Sequence, residues 1–165
     1  MAEAGGGFST TLLFDAGSAT IAEPMAVLVK ESLAAIGINV ELQKVPGANF
    51  RGELNKKAAP MVINRFAGRL DWPDYFFWNL HGSNSVVDVS AYQNAEMDRL
   101  IDGARFTGDP ARYNASVRAF LAISMAEVPF VAVCKPLHDV AMQKSVGGYQ
   151  FWPCREPDFR LLTEG

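Results

Sequence analysis

The sequence predicts an α/β fold, a mixed sheet flanked by helices, and three observations carry that expectation. Over residues 10–66, short β-branched or aromatic runs alternate with stretches of helical periodicity, the order that produces crossover-connected strands. The 165 residues are 49% hydrophobic, enough for one well-filled core and too few for two large independent domains. Beyond residue 90 two helix patterns follow one another before another apolar run, so helices outnumber strands in the later half.

The first strand is predicted over residues 10–14, ending at the turn formers Asp15, Gly17 and Ser18. A helix follows, capped by Ser18 or Thr20 and with Pro24 in its first turn; Met25, Leu28, Val29, Leu33 and Ile36 recur at helical spacing, and Gly37 stops it. Residues 39–45 alternate, with Val40, Leu42 and Val45 apolar, as a half-buried strand does. A short helix from Asn49 buries Phe50 and Leu54 and ends before Pro60, because the residue ahead of a proline resists helical geometry. Residues 61–66 form the third strand. Residues 71–81 are aromatic-dense and proline-broken, with Phe76 and Leu80 expected in the core, and 82–84 make a polar loop. Asn94 caps a helix whose inner face is Met97, Leu100, Ile101 and Ala104. Asp109 and Pro110 open another, with Tyr113, Val117, Phe120 and Leu121 on one face. Pro129 ends it, residues 130–134 read as a fourth strand, and a loop-rich tail closes on the short run 159–162.

Charge and composition exclude several functions. The net charge is −3 and the basic residues form no stripe, so neither a nucleic-acid groove nor an anionic membrane surface is expected as partner. No apolar run reaches bilayer length, and the start has neither the basic nor the apolar part of a signal peptide. Residues 1–8, rich in Gly and Ala, read as a flexible lead or the remnant of a cut. Cys134 and Cys154 either pair with each other or are two buried thiols. His81 and His138 lie far apart with no Cys or carboxylate at ligand spacing, so no metal and no cofactor is expected.

Several phrases, in order, carry a resemblance. Leu33-Ala34-Ala35-Ile36-Gly37-Ile38-Asn39-Val40 steps from helix to strand. Arg65-Phe66-Ala67-Gly68-Arg69-Leu70-Asp71-Trp72-Pro73-Asp74 precedes the aromatic stretch. Ala91-Tyr92-Gln93-Asn94-Ala95-Glu96-Met97-Asp98-Arg99-Leu100-Ile101 opens a helix. Then come Asp109-Pro110 with Arg112, Glu127-Val128-Pro129, and Val146-Gly147-Gly148-Tyr149. In order and spacing this series resembles the extracytoplasmic solute-binding proteins of family 5, the peptide and nickel class, over residues 10–162.

The resemblance implies one lobe of a periplasmic-binding-protein type II-like fold. Residues 9–149 would form the second ligand-binding lobe, and residues 150–165 a tail returning to a first lobe. It implies binding of a small peptide or similar solute outside the cytoplasm, in the periplasm, and a membrane permease of an ATP-driven importer as partner of the full-length parent. Without a first lobe to cover them, Phe151, Trp152, Phe159, Leu161 and Leu162 would invite self-association.

In peptide-binding members an aspartate at the place of Asp71 meets the ligand's ammonium group, a charge-assisted bond suited to a partly dry cleft; the plain alternative is a helix cap or turn residue. Arg65 falls where some members meet the ligand's carboxylate, the alternative being an ion pair at a strand end. Trp72 and Tyr75 are assigned to the cleft wall. Two other functions stay open. Related domains also serve as ligand sensors in cytoplasmic transcription regulators, and Asp71 with Asp74 could serve as the acid and base of a hydrolase. No enzyme is expected, because there is no nucleophile beside a base and no Gly-rich phosphate loop.

Overall fold

The computed structural model describes residues 7–66, 68–85, 87, 89–134, 139–152 and 158–164. Their contacts divide the chain into two compact units, Met1–Phe66 and Ala67–Gly165.

The first unit is a three-stranded sheet of order β2-β1-β3, with β1 at Ser9–Asp15, β2 at Asn39–Val45 and β3 at Met61–Ile63. Both pairings are parallel, Leu12 lying beside Leu42 on one side and Met61 on the other. Central position explains the apolar run in β1, since Leu12, Leu13 and Phe14 are all buried and a strand covered on both faces needs no polar alternation. Each such side chain contributes about 1.5–3 kcal/mol by leaving water.

Helix α1, Ala19–Ala34, connects β1 to β2. Its Ala22 and Ala26 pack with Leu12, Phe14 and Val40, and Val29 and Leu33 extend that row. The predicted inner face is thus corrected: Leu28 is 63% exposed and Ile36 is also exposed, while Ala26 is fully buried. Two small alanines let the helix axis approach the sheet, and the row they begin excludes the larger Leu28 from the core. The start differs too. Asp15 caps a 3-10 turn at Ala16–Ser18 by accepting from the Gly17 N–H, and Pro24 lies inside α1 rather than in its first turn. Helix α2, Gly47–Asn55, buries Phe50 and Leu54 as expected. The third strand ends at Ile63, three residues short of its predicted limit.

The second unit is built on three helices: α3 at Pro73–His81, α4 at Ala95–Arg105 and α5 at Pro110–Glu127. Its core is Met97, Leu100, Ile101, Ala104 and Phe120, against which Phe77, Trp78, Tyr113, Val117 and Ile123 pack. The inner face of α4 is the predicted one. On α5, Ile123 takes the place expected for Leu121, which is exposed. On α3, the core residues are Phe77 and Trp78 where Phe76 and Leu80 were expected; Phe76 and Leu80 are half-buried. Caps follow the sequence: Asn94 accepts from the Glu96 and Met97 N–H groups, and Asp109 accepts from Ala111.

Residues 130–134 are not a strand. They enter no ladder, and Phe130, Val131 and Val133 are exposed; β propensity alone does not make a strand where no neighbouring strand is offered. The last run also differs, since Phe159–Leu161 is a 3-10 turn and the strand β5 follows at Thr163–Glu164. It pairs antiparallel with β4, Val146–Gly147. The larger sheet is parallel throughout, and among the described residues antiparallel pairing is confined to this ribbon. Cys134 is an exposed free thiol, not a buried one, while Cys154 and His138 lie outside the described residues.

Candidate functional site

The predicted site residues fall in both units. Arg65 ends up exposed two positions past β3, its backbone N–H donating to the Asn64 side chain at 2.9 Å. Among the described residues it makes no ion pair.

Asp71, Trp72 and Tyr75 belong to the second unit, where the loop 68–72 runs into α3. Gly68 is buried, and a Cβ placed on it would stand 2.6 Å from the Phe76 ring; only glycine lets the loop lie on that ring. The loop is fastened again by Arg69, whose backbone N–H donates to the Tyr75 hydroxyl at 3.3 Å. Pro73, at the first helical position, starts α3 because it has no N–H to leave unsatisfied. Tyr75 is half-buried, with its ring edge-to-face against Phe76 at 5.7 Å. Its hydroxyl therefore closes its own loop.

Asp71 is exposed. The cap position of α3 is Trp72, and no side chain caps there, so Asp71 does not serve as the helix cap. None of the hydrogen bonds or ion pairs among the described residues involves its carboxylate. Trp72, 59% exposed, stands edge-to-face on Tyr113 of α5 with ring centroids 6.3 Å apart. Two successive exposed residues, one anionic and one aromatic, are thus offered at the start of α3, residue types suited to an organic cation or a peptide amino terminus.

Asp74 behaves differently. It accepts a hydrogen bond from the Tyr113 hydroxyl at 2.8 Å, and the Tyr113 pKa is pushed up to about 12 by burial and then by this carboxylate. Its task is to join α3 to α5. The sequence reading missed Tyr113 in this role and counted it only as part of an apolar face. The available signal was the tyrosine itself, since a half-buried hydroxyl needs a partner.

Other residues of the sequence phrases are also structural. The Asn94 amide and the Tyr92 hydroxyl both donate to the Glu127 carboxylate, tying the start of α4 to the end of α5. Tyr92 is likewise pushed up to about 12, by burial and then by Glu127. Asp98 accepts from the Ser83 N–H at 2.9 Å. His81 is buried, with its ring 4.8 Å from Phe77 and 4.9 Å from Phe130. Among the described residues no group of three or more metal-ligating side chains comes together, and no helix is long and apolar enough to cross a membrane.

Comparison with known proteins adds to this geometry. The sequence profile of the bacterial extracellular solute-binding proteins, family 5 Middle, matches residues 2–87. The chain is 27% identical over 145 residues to the probable D,D-dipeptide-binding periplasmic protein DdpA of Escherichia coli K12, covering 86% of this chain and 28% of that protein. It is 27% identical over 155 residues to the oligopeptide-binding protein AppA of Bacillus subtilis 168, covering 90% of this chain and 28% of that protein.

Among solved structures, AppA of Bacillus subtilis in complex with a nonapeptide matches with a TM-score of 0.77 at 25% identity, over 90% of this chain and 30% of that one. The periplasmic binding protein DppA of Helicobacter pylori, in complex with the peptide STSA, matches with a TM-score of 0.82 at 21% identity, over 99% of this chain and 33% of that one. The chain thus spans less than a third of the length of the curated relatives it matches, and its fold is the α/β fold of type II periplasmic binding proteins. With more than half of its residues matched by the family profile, the chain belongs to family 5 of the bacterial extracellular solute-binding proteins.

Proposed function

We propose that this chain is the second ligand-binding lobe of an extracytoplasmic peptide-binding protein that delivers its solute to an ATP-driven importer. The observation that carries the reading is that Asp71, exposed and with an unpartnered carboxylate, and the exposed Trp72 follow one another at the start of α3. In the parent protein the first lobe closes over this surface, and closure dries the carboxylate and strengthens its bond to a ligand ammonium group. Arg65 is proposed separately as a contact for a ligand carboxylate, which a planar fork of donors suits. Trp72 forms part of the wall, and Tyr75 supports the loop behind it.

In this reading residues 9–149 are the lobe and 150–165 the tail that returns to the first lobe. The protein works in the periplasm or its equivalent, and its macromolecular partner is a membrane permease. It is not an enzyme. Engagement of Asp74 by Tyr113 weighs against an Asp71–Asp74 acid–base pair. The curated names DdpA and AppA, both of peptide-binding proteins, support a peptide as the solute class.

Calorimetric titration of the parent protein with a panel of short peptides tests the proposal. Saturable binding with one peptide per protein, and full recovery of the peptide afterwards, is the expected result. Cleaved peptide would return the hydrolase reading, and no binding across the panel would remove peptides as the solute class.

A further inference from the structure

We infer that Tyr113 is a positioning residue for the ligand-contacting segment, holding Asp71 and Trp72 where a ligand can meet them; this rests on the reading of Asp71 given above. Tyr113 lies on α5, 42 positions along the chain from Asp71, yet it meets the segment at two points, Trp72 and Asp74. Its hydroxyl donates to Asp74 Oδ1 at 2.8 Å, and its ring supports the Trp72 indole edge-to-face at 6.3 Å. Asp74 stands in the first turn of α3, immediately after Pro73. The one phenol therefore fixes the helix start from which Asp71 and Trp72 project.

Physical reasons favour a specific role for this group. Trp72 is more than half exposed, so burial holds its rotamer only in part, and the edge-to-face contact with the Tyr113 ring restricts its orientation. No capping side chain secures the start of α3, and the Asp74–Tyr113 bond instead ties that helix start to α5. The bond is half-buried, and the carboxylate acceptor makes it stronger than a neutral pair. Tyr113 itself need not touch the ligand. Its absence would let the segment sample more orientations, and the ligand would then bind at the cost of ordering it.

Two measurements test the inference. In this chain labelled with fluorotryptophan, the Trp72 resonance is assigned by Trp72→Phe and then followed in Tyr113→Phe, which keeps the ring and removes the hydroxyl. The resonance is expected to shift or broaden in Tyr113→Phe and in Asp74→Ala. It should stay near the wild-type position in Asp74→Asn, whose amide oxygen still accepts; that rescue separates positioning from general loss of stability. An unchanged Trp72 resonance in Tyr113→Phe would overturn the inference.

In the parent protein, Tyr113→Phe is expected to weaken peptide binding about fivefold to tenfold. Asp71→Asn is measured beside it. If Asp71→Asn weakens binding and Tyr113→Phe does not, the positioning role is wrong and the reading of Asp71 stands. If Asp71→Asn leaves binding unchanged, the reading of Asp71 fails, and with it the inferred purpose of the Tyr113 contacts.

Discussion

Gly68 shows how much of this surface depends on single atoms. Its missing side chain is what allows the loop to rest on Phe76, because a Cβ there would stand 2.6 and 2.7 Å from two ring carbons and 3.1 Å from Tyr75. Gly68→Ala forces either the ring or the loop to move, and overpacking of this kind costs about 1–3 kcal/mol. Urea denaturation of the variant is expected to show that loss, together with a changed near-ultraviolet spectrum from the displaced aromatic rings; unaltered stability and spectrum would mean the loop does not lie on Phe76. Nothing in the sequence announces the requirement, since close approach is a tertiary fact and Gly68 sits in a phrase with no turn signature. Asp71 was singled out by its phrase instead. It stands within one of the phrases that carry the family resemblance, and the structure rules out the capping part of its plain alternative by placing Trp72 at the helix cap.

At the scale of elements, the two half-buried phenols join helices that the sequence leaves unrelated. Tyr92 bonds Glu127 at the end of α5, and Tyr113 bonds Asp74 at the start of α3. Both hydroxyls have pKa values pushed up to about 12, by burial first and by the carboxylates next. A phenol whose folded pKa stands above its unfolded value of about 10 holds its proton more tightly in the folded state. Its contribution to stability is complete below about pH 10 and is lost as pH rises through 12. Denaturant midpoints should therefore fall between those limits, and fall less in Tyr92→Phe than in the wild type; equal slopes would show that Tyr92 does not hold its proton in this way. The helices themselves were largely legible, because Asn94 and Asp109 are good caps and α4 has a clean apolar face. On α1 the pattern misled. Large apolar residues attract attention, yet Ala22 and Ala26 are what allow close packing, and Leu28 is left outside. Residues 130–134 misled in a second way, because five apolar or small residues satisfy strand propensity while a strand also needs a neighbour.

At the scale of the whole molecule, the tail carries its own prediction. Phe151, Trp152 and Phe159 are exposed, and among the described residues a two-residue ribbon, β4 with β5, pairs the chain end. Gly148, at φ +77°, turns that ribbon where a Cβ would stand 2.0 Å from the Leu161 carbonyl oxygen. Exposed aromatic groups of this kind favour association with a second copy. Light scattering is expected to show self-association of the full chain and a monomer after removal of residues 150–165; a monomer in both cases would contradict the proposal. The fold class and the family were legible from the order of phrases, whereas the division after Phe66 into two compact units was not, because no proline- or glycine-rich linker marks it. The central claim is that Asp71 receives the ligand's amino terminus, and one thermodynamic cycle addresses it: calorimetric binding of a free and an N-acetylated peptide to the parent protein and to its Asp71→Asn variant. If the claim holds, acetylation and Asp71→Asn each cost about 1.5–3 kcal/mol, and the two together cost little more than either alone. Fully additive losses, or an unchanged affinity in Asp71→Asn, would show that the ammonium group is met elsewhere.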